Sequence, residues 1–187
     1  MKRLSDFFYA KTNGWVCLLL TGVMVIYASL VLGGTSADFQ SQLPEGMKVL
    51  GLKTGYSYEY ALNLFQALDP EGLQSYQRFI LRWDVIFPLI YGAMYLAWVS
   101  LLYKKVSFRF SFTKYLNLFP LVLIVLDWKE NFFENRLVNQ FLQTGSLMER
   151  DVAIASFFNQ VKWSGSMINY LILIVGVILF FKKMIRK

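Results

Sequence analysis

Residues 115–138 read YLNLFPLVLIVLDWKENFFENRLV, and whether that stretch crosses a membrane decides the fold. Its uninterrupted apolar run stops at Leu126. That is too short for roughly 30 Å of hydrocarbon, which needs about 20 residues. Either the segment is re-entrant, or its second half crosses while carrying Asp127, Lys129, Glu130, Asn131 and Glu134. The distribution of lysine and arginine selects between the two. Residues 1–13 hold Lys2, Arg3 and Lys11, and residues 104–114 hold Lys104, Lys105, Arg109 and Lys114. The C-terminus closes with Lys182, Lys183, Arg186 and Lys187, and Asp6 is the one acid in all three blocks. Basic segments beside membrane spans stay on the cytoplasmic side. Three such blocks on one face require an even number of crossings with both termini inside. A re-entrant 115–138 would leave the last block outside, so the segment crosses.

The expected fold is therefore all-α: an integral membrane four-helix bundle forming one unit over residues 1–187. The spans fall at about 14–34, 79–103, 115–138 and 156–181, with residues 35–77 as the one substantial external segment. Composition agrees. The chain is 56% hydrophobic and 17% charged, where soluble domains carry about 25% charged residues. The first span has a basic start and small residues near Ser36 and Ala37, which imitates a secretory signal. Its apolar core from Trp15 to Leu32 exceeds the usual 7–15 residues of such a signal, so an uncleaved anchor is expected. A bacterial inner membrane is the expected host, from size and positive-inside bias.

Several function classes drop out. The net charge of +7 sits at span ends, where anionic lipid reads it, and builds no basic stripe for nucleic acid. One cysteine, Cys17, leaves no internal disulfide, and the absence of histidine removes His-metal sites and His-dependent catalysis. No phosphate-cradling glycine loop or other cofactor motif is present, and no His-metal set.

Within the external segment, Tyr58, Ala61, Leu62, Phe65 and Leu68 recur with helical spacing and predict an amphipathic helix. Ser57 suits its N-cap and Glu59 its positive end. This helix packs over the bundle or lies on the outer leaflet, and residues 35–77 offer a surface for a protein partner. Asp69-Pro70-Glu71-Gly72 then starts a helix expected to run unbroken into the second span, with a kink at Pro88.

The polar residues of three spans are each confined to one helix face. Asp127, Glu130, Asn131, Glu134 and Asn135 lie at i, i+3, i+4, i+7 and i+8. Asn159, Lys162, Ser166 and Asn169 share a face of the last span, and Asp84, Pro88, Tyr91 and Tyr95 share one of the second. At about 1.5 Å per residue, Asp127 lies roughly 18 Å above the inner boundary, and Asp84 and Lys162 roughly 30 Å. All then share the outer half, while 116–126 and 171–181 leave the inner half nearly dry. Ionisable groups inside a membrane are expensive and by default mark function. The candidate cluster is Asp84, Tyr91, Asp127, Glu130, Asn131, Glu134, Asn159, Lys162 and Ser166, with Arg82 and Arg136 at the rim. The bland alternative is an interhelical network in which Asp127 pairs with Lys162 and Asn131 and Asn159 bridge helices.

Gly55-Tyr56-Ser57, Asp69-Pro70-Glu71-Gly72, Tyr76, the run Asp84 to Tyr91, Asp127-x-x-Glu130-Asn131 and Lys162-Trp163 together resemble small four-span bacterial membrane proteins. The likeness covers roughly two thirds of the chain. It implies that these polar residues belong to a shared pattern, and it implies no activity.

Three functions fit. The first is an outward-side acidic pocket that binds a cation, a proton or a polar small molecule, with oxygen ligands suiting Ca²⁺ or Mg²⁺ over zinc. The second is a lipid-modifying enzyme with Asp127 or Glu130 as acid or base and Lys162 stabilising negative charge, although no nucleophile motif accompanies them. The third is an assembly protein whose charged network holds the bundle in register.

Overall fold

The computed structural model describes residues 1–104, 106 and 111–185. Lys105, Arg109, Arg186 and Lys187, counted in the basic blocks, lie outside the described residues. Six helices carry the architecture, and no strand occurs among the described residues. They are α1 (Lys2–Lys11), α2 (Gly14–Gln40), α3 (Tyr58–Ala67), α4 (Pro70–Tyr103), α5 (Phe119–Thr144) and α6 (Glu149–Ile185).

Local chemistry sets the helix ends. The Asn13 side chain accepts from the Val16 N–H at 3.0 Å to open α2. Ser57 accepts from Tyr60 N–H at 3.2 Å to open α3, as its spacing predicted. Glu59 follows in the first turn, and its own backbone N–H and the Ser57 hydroxyl hold its carboxyl below the usual range. Asp69 accepts from Gly72 N–H at 2.6 Å, with Pro70 at the first helical position. α5 stops at Gly145, whose φ of 66° is the left-handed turn that glycine adopts without a Cβ penalty.

α2, α4 and α6 are long and apolar enough to cross a membrane. Their outward faces carry Leu19, Leu30, Leu171 and Ile178, each more than half exposed. Apolar exposure on that scale is what a helix needs when its solvent is lipid. α5 does not meet that standard, because Asp127, Lys129, Glu130, Glu134 and Arg136 all fall within it. It is nevertheless one continuous helix of 26 residues, about 39 Å long. It begins at Phe119, later than the expected 115, because Ser111–Leu118 winds as a 3₁₀ segment up to Pro120.

Other expectations need correction. The second span is not smoothly helical with a bend at Pro88. Phe79–Asp84 forms a π turn and residues 85–86 a turn, so the irregularity precedes the proline. Trp128 Nε1 donates to the Val85 carbonyl at 2.9 Å and the Tyr27 hydroxyl to the Trp83 carbonyl at 2.8 Å, occupying carbonyls at this break. α2 also contains a π turn, Tyr27–Leu32, and the two irregular segments touch. On α3 the buried stripe is Ala61, Leu64, Phe65 and Leu68, with Tyr58 and Leu62 at its border. Leu64 and Leu62 fit helical spacing equally well, and contact with the core picks the former.

That core is a cap at one end of the molecule. Phe39, Leu50, Phe65, Tyr76, Ile80, Leu137, Val138 and Val152 pack together in it, so the segment between α2 and α4 is a folded layer. At the other end, α1 lies across α4 and the 3₁₀ segment. The buried Ser5 hydroxyl sits 2.8 Å from Asn117 Oδ1, and Asn117 Nδ2 donates to Ser5 O and Ser100 Oγ, both at 3.2 Å. The expected dry half therefore contains a polar knot, and α1, unforeseen in the sequence, is tied to it.

Gly92 brings α4 close to α5. A Cβ there would lie 2.6 Å from Ile124 Cδ1, whereas one on Gly22 would meet nothing within 4 Å. Gly92→Leu is expected to lower stability by about 1–3 kcal/mol through overpacking, and Gly22→Leu to leave the thermal unfolding midpoint of the detergent-solubilised protein unchanged.

Candidate functional site

Asp84, Tyr91, Asp127, Glu134, Lys162 and Ser166 line a single cavity of about 530 Å³. Glu130, Asn131 and Asn159 lie buried behind its wall. The structure brings residues of the three polar faces together, but their partners differ from those expected. Lys162 forms its ion pair with Glu130. Asp127 instead accepts from the Tyr91 hydroxyl at 2.7 Å. Asn159 does bridge helices, donating from α6 to Glu130 on α5, whereas Asn131 makes no hydrogen bond of standard geometry and sits beside Asp84. Arg136 pairs with Asp151 at 3.5 Å on the surface, away from the cluster. The Ser166 hydroxyl turns back to its own helix, donating to the Lys162 carbonyl at 3.1 Å.

The larger surprise is what the polar residues hold. The loop 49–56 descends onto the cluster and presents its backbone to it. Lys162 Nζ donates to Gly51 O at 3.0 Å, and Asn159 Nδ2 donates to Leu50 O at 3.1 Å. Asn159 Oδ1 accepts from Gly55 N–H at 2.5 Å, and Ser156 Oγ accepts from Tyr56 N–H at 2.9 Å. The Tyr76 hydroxyl accepts from Leu50 N–H at 3.3 Å and donates to Glu134. Gly55 suits this approach twice over: its φ is 84°, and a Cβ would lie 2.7 Å from Gln160 Nε2. The Tyr56 ring is carried in with the loop. Burial, and then Glu134 and Glu130, push its phenol above the ordinary range.

Tyr76, Ser156 and the 49–56 backbone were thus missed as parts of the site. Backbone groups leave no residue-type signature. The available signal was the glycine pair Gly51 and Gly55 within one short loop, together with Ser156 at i−3 from Asn159.

These contacts divide the acids. Glu130 is neutralised by Lys162, Glu134 is held by Tyr76, and Asp127 is held by Tyr91. Asp84 has no cation of its own. Among the described residues Lys162 is the one lysine or arginine in the cavity wall, against Asp84, Asp127 and Glu134. Among the described residues no three acidic or sulfur ligands stand close enough to hold a metal ion. Apolar side chains of α2, Met24, Ala28 and Leu32, form the facing wall.

No protein-family model, no curated protein and no solved structure matches the chain. The site must be read on its own chemistry.

Removing Lys162 would leave Glu130 as an unpaired buried charge. Lys162→Met is expected to cost about 3–5 kcal/mol, with most of it recovered in the double variant with Glu130→Gln. Thermal unfolding of the four proteins as a double-mutant cycle measures this. Asn159→Ala is expected to free the loop and speed tryptic cleavage after Lys53 by about tenfold or more, the size of effect that loss of about 1.4 kcal/mol of loop protection would give.

Proposed function

We propose that this chain is a four-span membrane protein with both termini cytoplasmic, and that its cavity binds a cation, a proton or a polar small molecule in the outer half of the bilayer. One observation carries the reading. Asp84, an acid that makes no ion pair of its own, faces a cavity walled by helices whose composition suits lipid. A carboxylate so placed costs several kcal/mol unless something pairs with it. Among the described residues no three acids or sulfur ligands come together, and the pocket's charge then suits an organic cation or a proton better than a metal ion. A cavity of this volume lies within the range that holds small molecules.

In this topology α5 is the third crossing. Its acids are tolerated because they face the bundle: Asp127, Glu130 and Glu134 are buried, while Trp128, Lys129 and Phe132 point outward, and a lysine stem can carry its ammonium toward the interface. The bacterial inner membrane is the host we propose, from the positive-inside pattern.

A second reading draws support from the loop. Glu130, Lys162, Asn159 and Tyr76 spend their polar groups on backbone and on each other, as an architectural network would. We assign those four to structure, and Asp84 and Asp127 to binding. A protein partner of residues 35–77 would meet the polar side of α3, since its apolar face is buried in the cap.

Two measurements test this. Asp84→Asn and Asp127→Asn are expected to accumulate in the membrane at the wild-type level, and Lys162→Ala is not. Native mass spectrometry with added butylamine should find an adduct on the wild type and lose it in both Asn variants. Tags at either terminus should resist protease added to intact cells, and a cleaved C-terminal tag would overturn the topology.

A further inference from the structure

The cavity is long and has two chemical ends. On α2 its wall runs from Met24 to Gln40, about 24 Å along the helix axis. Met24, Ala28 and Leu32 make the stretch away from the cap apolar, while Asp84, Asp127 and Lys162 charge the middle. Among the described residues, α2 packs on α4, and α6 packs on α5 and α4, but no packed seam joins α2 to α6. Tyr170 lines the cavity from α6 and is still 45% exposed. Its neighbours Leu171 and Ile174 are apolar and exposed too. The cavity therefore opens sideways, between α2 and α6, at a level where the surrounding surface is apolar.

On the reading that this cavity is a binding site, we propose that its ligand is a single-chain amphiphile carrying a protonated amine. The molecule enters from the bilayer between α2 and α6. Its nitrogen lies against Asp84 and Asp127, and its chain lies along Met24, Ala28 and Leu32. The charge balance selects the head: the wall sets Asp84, Asp127 and Glu134 against Lys162, whose ion pair is made with Glu130, so an anionic group would be repelled and a neutral one would leave the excess acid uncompensated. The apolar wall selects the tail, because a small hydrophilic amine would leave that surface unused. The lateral opening fits a ligand that already resides in the membrane, and the modest volume favours one chain over two.

The test uses the full chain in lipid nanodiscs, with thermal unfolding followed during titration with dodecylamine, butylamine and dodecanol. Dodecylamine should raise the midpoint at a concentration about tenfold or more below butylamine, given the free energy of burying each methylene. Dodecanol should not reproduce the shift. Asp84→Asn should weaken dodecylamine by about tenfold or more, consistent with loss of a desolvated charge pair. Ala28→Phe, which fills the apolar wall, should abolish the advantage of the long chain, bringing dodecylamine to the level of butylamine in the same variant. Ala28→Leu serves the same purpose should the larger side chain prevent accumulation.

Equal affinity for the two amines overturns the proposal and leaves the acidic pocket standing. So does a long-chain advantage that survives in the Ala28 variants, which would mark partition into bulk lipid. A dodecanol shift as large as that of dodecylamine also overturns it. If neither amine shifts the wild type, the pocket reading itself falls.

Discussion

A buried carboxylate cannot remain alone, and the pair that Glu130 makes with Lys162 organises the rest of the structure. The pair joins α5 to α6. Lys162 has further donors to place, and one goes to the Gly51 carbonyl. Glu130 has a second oxygen, which takes the Asn159 amide, and Asn159 in turn grips the loop at Leu50 and Gly55. Each partner is bound to saturate the next, since an unsatisfied polar group at this depth costs more than the bond itself contributes. The position of the 49–56 loop follows from that requirement. So does the roof of the cavity, to which Val49, Gly51 and Leu52 contribute.

The molecule repeats this solution at its other end without an acid, using hydroxyls, an amide and one lysine. Ser5, Asn117 and Ser100 tie α1 and the 3₁₀ segment to α4, and Lys104 donates to the carbonyls of Ala10 and Thr12. Between membrane helices the apolar side chains gain little by leaving lipid, so packing and polar contacts must supply the specificity. Gly165 and Gly176 serve the packing term, bringing α6 against Leu123 on α5 and Tyr103 on α4. Polar groups at both ends and small residues between them fix the register of helices that are otherwise uniformly greasy.

The parts of this arrangement visible in the sequence are those written in residue type and spacing. Asp127, Glu130, Asn131 and Glu134 share a face because helical geometry puts them there, and the Ser57 and Asp69 caps follow from local chemistry. Which acid meets Lys162 was not legible. Asp127 and Glu130 are three residues apart on one face, and a lysine's reach covers both, so only the axial offset of α6 against α5 decides. The loop was illegible for another reason: its contribution is backbone N–H and C=O, which every residue carries. The polar knot at Asn117 was overlooked because a single asparagine in an apolar run gives no pattern. The π turns leave no compositional mark either.

Those π turns have a geometric consequence for the wall of the cavity. On α2 the wall residues are Met24, Ala28, Leu32, Ser36 and Gln40, each four places after the last. In a regular α-helix a stride of four overshoots one turn by about 40°, and four strides would carry the row about 160° around the cylinder. Gln40 would then sit nearly opposite Met24. The wider winding at Tyr27–Leu32 absorbs much of that angular drift and keeps the row phased toward a common side. Wound as ordinary helix with the same residues, that segment would rotate everything after it by about 100°, turning Ser36 and Gln40 out of alignment with the lower half of the row.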